Sequence, residues 1–229
     1  MGYHESLTEG RNAVLEAFRS GKTVDRLFVL DGCQDGPVKT ILREAKKQDT
    51  MVQYVKKERL DQLSETKNHQ GVIAYCAACE YAEVSDILEN AKKKGEAPFI
   101  VLLDGIEDPH NLGAIIRTAN QAGAHGVIIP KRRAVGLTAT VARTSAGAVN
   151  YTPVAKVTNL VTVMEDLKKE GMWFVCADMD GEEMYSLNLK GPIGLVIGNE
   201  GEGVSRLVKE HCDMAVSYTH LTLPTKRIV

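Results

Sequence analysis

Residues 195–213 read LVIGNEGEGVSRLVKEHCD, and their order decides the class of fold. The run GPIGLVI (191–197) is apolar without alternation, as in a strand buried on both faces. The glycine-rich hexapeptide GNEGEG (198–203) follows, and VSRLVKEHC then reads as a helix. Strand, glycine loop and helix in succession is a connection of α/β proteins, whose ligands gather at the carboxyl ends of strands. Free N–H groups at such a junction can bind phosphate. Here the spacing fits neither GxGxxG nor GxxxxGK(S/T), and Glu200 and Glu202 would repel a pyrophosphate. An adenosine-bearing ligand without phosphate, carrying a sulfonium cation, suits the loop better. The plainer alternative is a tight turn whose glutamates complement a helix dipole.

The same grammar extends upstream. FIVLLDG, GVIIP, TPVAKV and MWFVCAD read as strands, and NLGAIIRTANQAGA, ATVARTSAGAV and NLVTVMEDLKKEG as the helices between them. Apolar strands alternating with helices predict a mostly parallel sheet covered on both faces. A smaller alternation precedes it. Glu9–Ser20 is expected to be a helix with Ala13, Val14, Ala17 and Phe18 on one face. Strands DRLFVL, MVQYV and GVIAYC then alternate with helices PVKTILREAKKQ and KERLDQLS. The reading is an N-terminal α/β/α domain over 1–78, a Lys-rich linker over 79–97, and a second α/β domain over 98–215.

The 229 residues are 44% hydrophobic and 25% charged, the balance of an ordinary globular chain. No apolar run approaches the ~20 residues of a membrane helix, and the N-terminus lacks the pattern of a secretory signal. Five widely spaced cysteines predict reduced thiols and a cytoplasmic protein. CAAC (76–79) lacks a second pair, and His4, His69 and His110 lack ligand spacing, so no metal is expected.

The net charge of −2 is distributed unevenly. Asn111 to Met164 holds no acidic residue but carries Arg117, Lys131, Arg132, Arg133, Arg143 and Lys156. An acid-free basic segment in a near-neutral chain is a candidate polyanion surface; a solvated face is the alternative. The small residues of TSAGA, beside that cluster, allow close approach of a ligand or of another helix. In DPHNLGAIIRTA (108–119), Asn111 is placed to cap a helix. Gly113 and Arg117, four residues apart, share a face, which leaves room for a bulky group near a guanidinium whose fork suits phosphate or a ribose oxygen. A capped helix with a surface arginine is the bland reading.

DPHNLGAIIRTANQAGA and LVIGNEGEGVSRLVKEHCD resemble the first and second motifs of the SpoU (TrmH-like) RNA ribose 2'-O-methyltransferases. GRNAVLEAF and NHQGVIA resemble the L30e-like RNA-binding domain of that family's large-subunit rRNA branch, and the likeness runs from about Leu7 to Ala215. The resemblance implies an L30e-like domain followed by a SPOUT-type α/β domain, trefoil-knotted in the family. It implies a homodimer that uses S-adenosyl-L-methionine to methylate ribosomal RNA at a ribose 2'-hydroxyl, a guanosine of 23S rRNA in the nearest pattern. Carried over by position, Asn111, Arg117 and Glu200 would be catalytic. Ile197, Gly198, Asn199, Gly201 and Gly203 would line the cofactor, and Arg11, Asn12, His69, Lys131, Arg132, Arg133 and Arg143 would face RNA. His69 also reads as a polar turn residue. Because a guanidinium keeps its proton in proteins, Arg117 is expected to orient the hydroxyl and a neighbouring phosphate, and the base stays unassigned.

The family continues after DMAV into a Ser-Leu-Asn motif, where this chain has SYTHLTLPTKRIV. One back-translation of VSYTHLTLPT resembles a sequencing-library adapter, so 216–229 is expected to be a non-native tail and the knot incomplete. Three other functions remain open: a non-catalytic RNA-binding protein, a tRNA 2'-O-methyltransferase, and a nucleotide-dependent oxidoreductase, which the glutamates of GNEGEG disfavour.

Overall fold

The computed structural model describes residues 6–217. Their contacts divide the chain into two compact units. The first takes the chain up to Tyr81 together with Glu107–Thr118 and Ala134–Tyr151, and the second takes Ala82–Ile106, Ala119–Arg133 and the chain from Thr152.

In the first unit β1 (Ser6–Glu9), α1 (Arg11–Arg19), β2 (Val24–Leu30), α2 (Gly36–Lys47), β3 (Met51–Val55), α3 (Lys57–Leu63) and β4 (Val72–Cys76) follow one another. The sheet has the order β1-β4-β2-β3, parallel between β2 and β3 and otherwise antiparallel. Side chains alternate across a strand, so β2 serves two cores. Leu27 and Val29 join Val14, Phe18, Val38 and Ile41 of α1 and α2, while Phe28 joins Leu60 of α3 and Ile73. On α1 the buried face is Val14, Ala17 and Phe18, whereas Ala13 is exposed. Asp35 starts α2 by accepting from the Val38 amide at 3.1 Å.

The second unit opens with α4 (Val84–Lys94), inside the stretch read as a linker; its Ile87 and Ala91 are fully buried. Then come β5 (Phe99–Asp104), α5 (Pro109–Gln121), β6 (Gly126–Pro130), α6 (Ala139–Thr144), β7 (Val154–Val157) and α7 (Leu160–Lys169). β8 (Trp173–Glu183), β9 (Ile193–Gly198), α8 (Arg206–Glu210) and β10 (Met214–Ser217) complete the chain. Of these, α6 and most of α5 belong to the first unit. The sheet is wholly parallel, in the order β10-β8-β9-β5-β6-β7. Ile100, Leu102, Ile128, Phe174 and Val196 fill its core with Met164 and Leu167 of α7. His125, 1% exposed, accepts from the Phe99 amide at Nδ1 (3.0 Å) and meets Glu96 through Nε2 at 3.1 Å.

One expectation changes. The helix read over ATVARTSAGAV ends at Thr144, because Ala146 and Gly147 take positive φ (50° and 84°), and a 3-10 turn covers Ala148–Asn150. Of the expected tail, Val216 and Ser217 lie in β10, where the pairing jumps between Ala215 and Val216 from Cys176 to Glu182. Residues 218–229, and His4, lie outside the described residues. Among the described residues no helix is long and apolar enough to cross a membrane, and no group of three or more His, Cys, Asp or Glu could hold a metal ion.

Candidate active site

Strand order reverses around β5. The chain steps outward from β5 to β6 and β7, then returns on the other side, where β9 pairs directly with β5. The crevice outside the carboxyl ends of two such strands is where open α/β sheets take ligands. Asp104 ends β5, its register partner Gly198 ends β9, and GNEGEG begins at that partner.

The loop is a short loop on a paired stem. Asn199 N–H donates to the Gly203 carbonyl at 3.0 Å and Gly203 N–H returns to the Asn199 carbonyl at 2.8 Å. A side chain at Gly198 would overlap the Gly203–Val204 backbone, so the closure requires glycine there. The Asn199 side-chain oxygen accepts from Gly201 N–H (2.8 Å) and Glu202 N–H (3.4 Å), and its amide donates to the Gly105 carbonyl at 2.9 Å. Ser205 N–H donates to Asp104 Oδ2 at 2.8 Å. The amides of Asn199, Gly201, Glu202, Gly203 and Ser205 are thus engaged within the protein. Glu200 and Glu202 stand exposed at the tip; Ile197 and Gly198 are half-buried beneath it. Of the predicted cofactor residues, Asn199 builds the loop with its side chain. Asp104 and Ser205, which hold it, were not anticipated; a lone acid ending the run FIVLLD was the available signal.

In the first unit, α5 begins at Pro109, three residues earlier than a cap at Asn111 requires. Asp108 Oδ1 accepts from His110 N–H at 2.6 Å, and the Asp108 carbonyl accepts from Leu112 N–H at 3.0 Å. Proline favours the first helical position with an acidic cap before it, so Asp-Pro starts the helix and the half-buried Asn111 lies in its first turn. The Arg117 side chain is exposed and has no hydrogen bond or ion pair among the described residues. The bare face of Gly113 is covered by Thr144 of α6 and by Ser145, which caps that helix, so the room beside it is filled by protein. Of TSAGA, Thr144 and Ser145 accordingly serve helix contact, while a Cβ at Gly147 would meet nothing within 4 Å. Arg143, on α6, is exposed and bonds Thr140 Oγ1 at 3.1 Å.

In the second unit Lys131 N–H extends the β6–β7 ladder to the Val157 carbonyl at 2.8 Å. Arg132 and Arg133 beyond it are exposed, with Arg133 at φ 54°. The N-terminal residues differ among themselves. Asn12 is exposed. Arg11 ion-pairs with Asp35 and donates through Nε to the Gln70 carbonyl at 3.1 Å, which ties α1 to the NHQG turn. His69 is 7% exposed; its Nδ1 accepts from Gly71 N–H and its Nε2 meets Asp61 Oδ1, both at 3.0 Å. Of its two readings the turn residue is the one these bonds describe.

The chain is similar to known proteins over nearly all of its length. Residues 98–221 match the SpoU rRNA methylase family, and residues 7–82 match the RNA 2'-O ribose methyltransferase substrate-binding domain. It is 48% identical over 209 residues to YacO of Bacillus subtilis (strain 168), named for the TrmH family of tRNA/rRNA methyltransferases. That alignment covers 90% of this chain and 83% of the relative. A TrmH-family relative from Staphylococcus aureus (strain MSSA476) is 41% identical over 213 residues, covering 93% and 86%. Among solved structures, the SpoU methyltransferase AviRb from Streptomyces viridochromogenes, in complex with AdoMet, matches with a TM-score of 0.55 at 24% identity. The match covers 93% of this chain and 80% of AviRb. The AdoMet-bound rRNA methyltransferase from Sinorhizobium meliloti gives 0.55 at 22% identity, covering 95% and 79%.

Proposed function

The chain belongs to the SpoU family of RNA methyltransferases, and from that premise we propose that it transfers the methyl group of S-adenosyl-L-methionine to a ribose 2'-hydroxyl of ribosomal RNA. The observation that carries this reading is the state of GNEGEG at the β5–β9 switch. Four of its amides, those of Asn199, Gly201, Glu202 and Gly203, are taken up by the Asn199 side chain and by the Asn199–Gly203 stem, and its tip bears two carboxylates. Such a loop favours a cationic ligand without phosphate over a nucleotide. Ile197, Gly198, Gly201 and Gly203 offer it backbone, and Glu200 offers a carboxylate.

S-adenosyl-L-methionine supplies an electrophilic methyl group on its sulfonium. The chain must align that methyl with the 2'-oxygen and remove the hydroxyl proton. Arg117, exposed and permanently charged, orients the hydroxyl and the adjacent phosphate through its fork. Asn111, in the same helix, completes the polar set. The base is unassigned, because Arg117 holds its proton. Lys131, Arg132, Arg133 and Arg143 contribute phosphate contacts, which give affinity and salt dependence rather than sequence choice. The substrate is a guanosine of 23S rRNA, held by the domain over 1–78 and methylated by the domain over 98–215 of a homodimer; the family pattern supports this finer reading.

Ligand-dependent melting tests it. S-adenosyl-L-methionine at 100 times its Kd should stabilise the protein by about 2.7 kcal/mol, and ATP and NAD should not. Stabilisation by ATP or NAD alone would overturn it.

A further inference from the structure

Two consecutive residues at the end of β5 grip the glycine loop that follows β9. The Gly105 carbonyl accepts from the Asn199 side chain at 2.9 Å, on the rising side of the stem. Asp104 Oδ2 accepts from Ser205 N–H at 2.8 Å, on the descending side. Between these points lie the Asn199–Gly203 pair and the exposed tip of Glu200, Gly201 and Glu202. Val204, 7% exposed and part of the core of the second unit, anchors the descending side from below. The first grip joins the Asn199 side chain to a main-chain carbonyl, so at the β5 end it needs no side chain. The second depends on one side chain, and that side chain is joined to its partner across 101 residues of sequence.

We propose that Asp104 is the positioning residue of the methyl-donor loop: its carboxylate holds the Ser205 amide and thereby fixes where Glu200 and Glu202 stand at the β5–β9 switch. This rests on the reading of GNEGEG as the cofactor loop. Half-buried at the strand end, Asp104 accepts from a backbone N–H, a charge-assisted bond of the stronger kind. Without it the Ser205 amide loses its acceptor, and the descending side of the loop keeps only the Val204 contact and the stem pair. A loop free to move must be ordered again at each binding event, which lowers affinity. Asp104 acts through the loop and is not assigned a contact with the reacting atoms.

The test compares Asp104→Ala with Asp104→Asn, whose amide oxygen can still accept from Ser205, in the full chain. Calorimetric titration with S-adenosyl-L-methionine should show Asp104→Ala weakened about tenfold or more, the effect of losing one charge-assisted bond, and Asp104→Asn within about threefold of the parent. In turnover, the KM for the methyl donor should rise while the KM for RNA stays unchanged. Amide hydrogen exchange gives a second, ligand-free readout. Protection at 199–205 should fall in Asp104→Ala and persist in Asp104→Asn, with the rest of the chain unchanged. Parent-like affinity in Asp104→Ala, equal loss in both variants, or exchange that rises throughout the chain would overturn the proposal. If the parent itself fails to bind the methyl donor, the cofactor reading falls, and the exchange pattern alone decides whether Asp104 positions the loop.

Discussion

Gly113 of α5 faces Thr144 of α6 with no space between them: a Cβ on Gly113 would overlap Thr144 Oγ1 and lie 2.8 Å from the Thr144 Cβ. Thr144 Oγ1 in turn donates within its own helix to the Thr140 carbonyl at 2.9 Å and lies 3.3 Å from the Pro109 carbonyl. The glycine of the DPHNLG motif is therefore a helix-crossing residue, and the substrate-facing role falls to other positions on α5.

Gly113→Ala should destabilise the protein by about 1–3 kcal/mol through overpacking, despite the better helix propensity of alanine. Thr144→Ala in the same chain should return part of that loss, a non-additivity visible in a double-mutant cycle of urea midpoints. A Gly113→Ala chain of parental stability would contradict the crossing.

Arg117→Ala should leave stability within about 0.5 kcal/mol of the parent, as for exposed side chains without partners, and reduce methyl transfer by about 10²–10³-fold. Arg117→Lys should recover little, because an ammonium cannot reproduce the two-pronged contact. Thermal melts and single-turnover transfer assays separate the two effects. Near-parental turnover in Arg117→Ala would remove the residue from the site.

Glu9 gathers four donors: the hydroxyls of Ser64 (2.5 Å) and Thr66 (2.7 Å) and the amides of Glu65 (2.6 Å) and Thr66 (3.3 Å). Burial pushes its pKa up, but these bonds together outweigh burial and the net shift is downward. A carboxyl with a lowered folded-state pKa contributes stability that is present above the unfolded value of about 4.3 and is lost as pH falls through the folded value. The stability gap between the parent and Glu9→Gln should therefore be widest near neutrality and shrink below pH ~4. Urea denaturation across that range measures it; a gap independent of pH would contradict the assignment.

Cys212 has its thiol pushed up to about 12 by burial and by the neighbouring Cys176, and burial raises Cys176 as well. At pH 8 the thiolate fraction of Cys212 is on the order of 10⁻⁴. Iodoacetamide should leave both unlabelled in the folded protein and label them after denaturation, as read by peptide mass spectrometry. Rapid labelling of Cys212 in the native state would contradict its raised pKa.

The sequence made the parallel sheet legible because its strands are unbroken apolar runs, which only a sheet buried on both faces permits. β1 was missed because SLTE is a four-residue edge strand with no apolar run. The helix over ATVARTSAGAV was read too long, since two residues with positive φ after Ser145 leave no trace in hydrophobic period. GNEGEG was singled out as a candidate loop from its glycines, its glutamates and its place between strand and helix. What holds it was not, because the Asp104–Ser205 bond joins residues that no local pattern relates. Equally, nothing near Gly113 in the sequence names Thr144, and the choice between ligand space and helix contact had to wait for α6.

The most direct test of the account is to supply [methyl-³H]-S-adenosyl-L-methionine and unmodified ribosomal RNA, then digest the product with alkali. A 2'-O-methyl group blocks alkaline cleavage at its own nucleotide, so the account predicts label in alkali-resistant dinucleotides, with guanosine on the 5' side. Label confined to mononucleotides, which marks base methylation, or its absence from RNA while the parent chain binds the methyl donor, would contradict it.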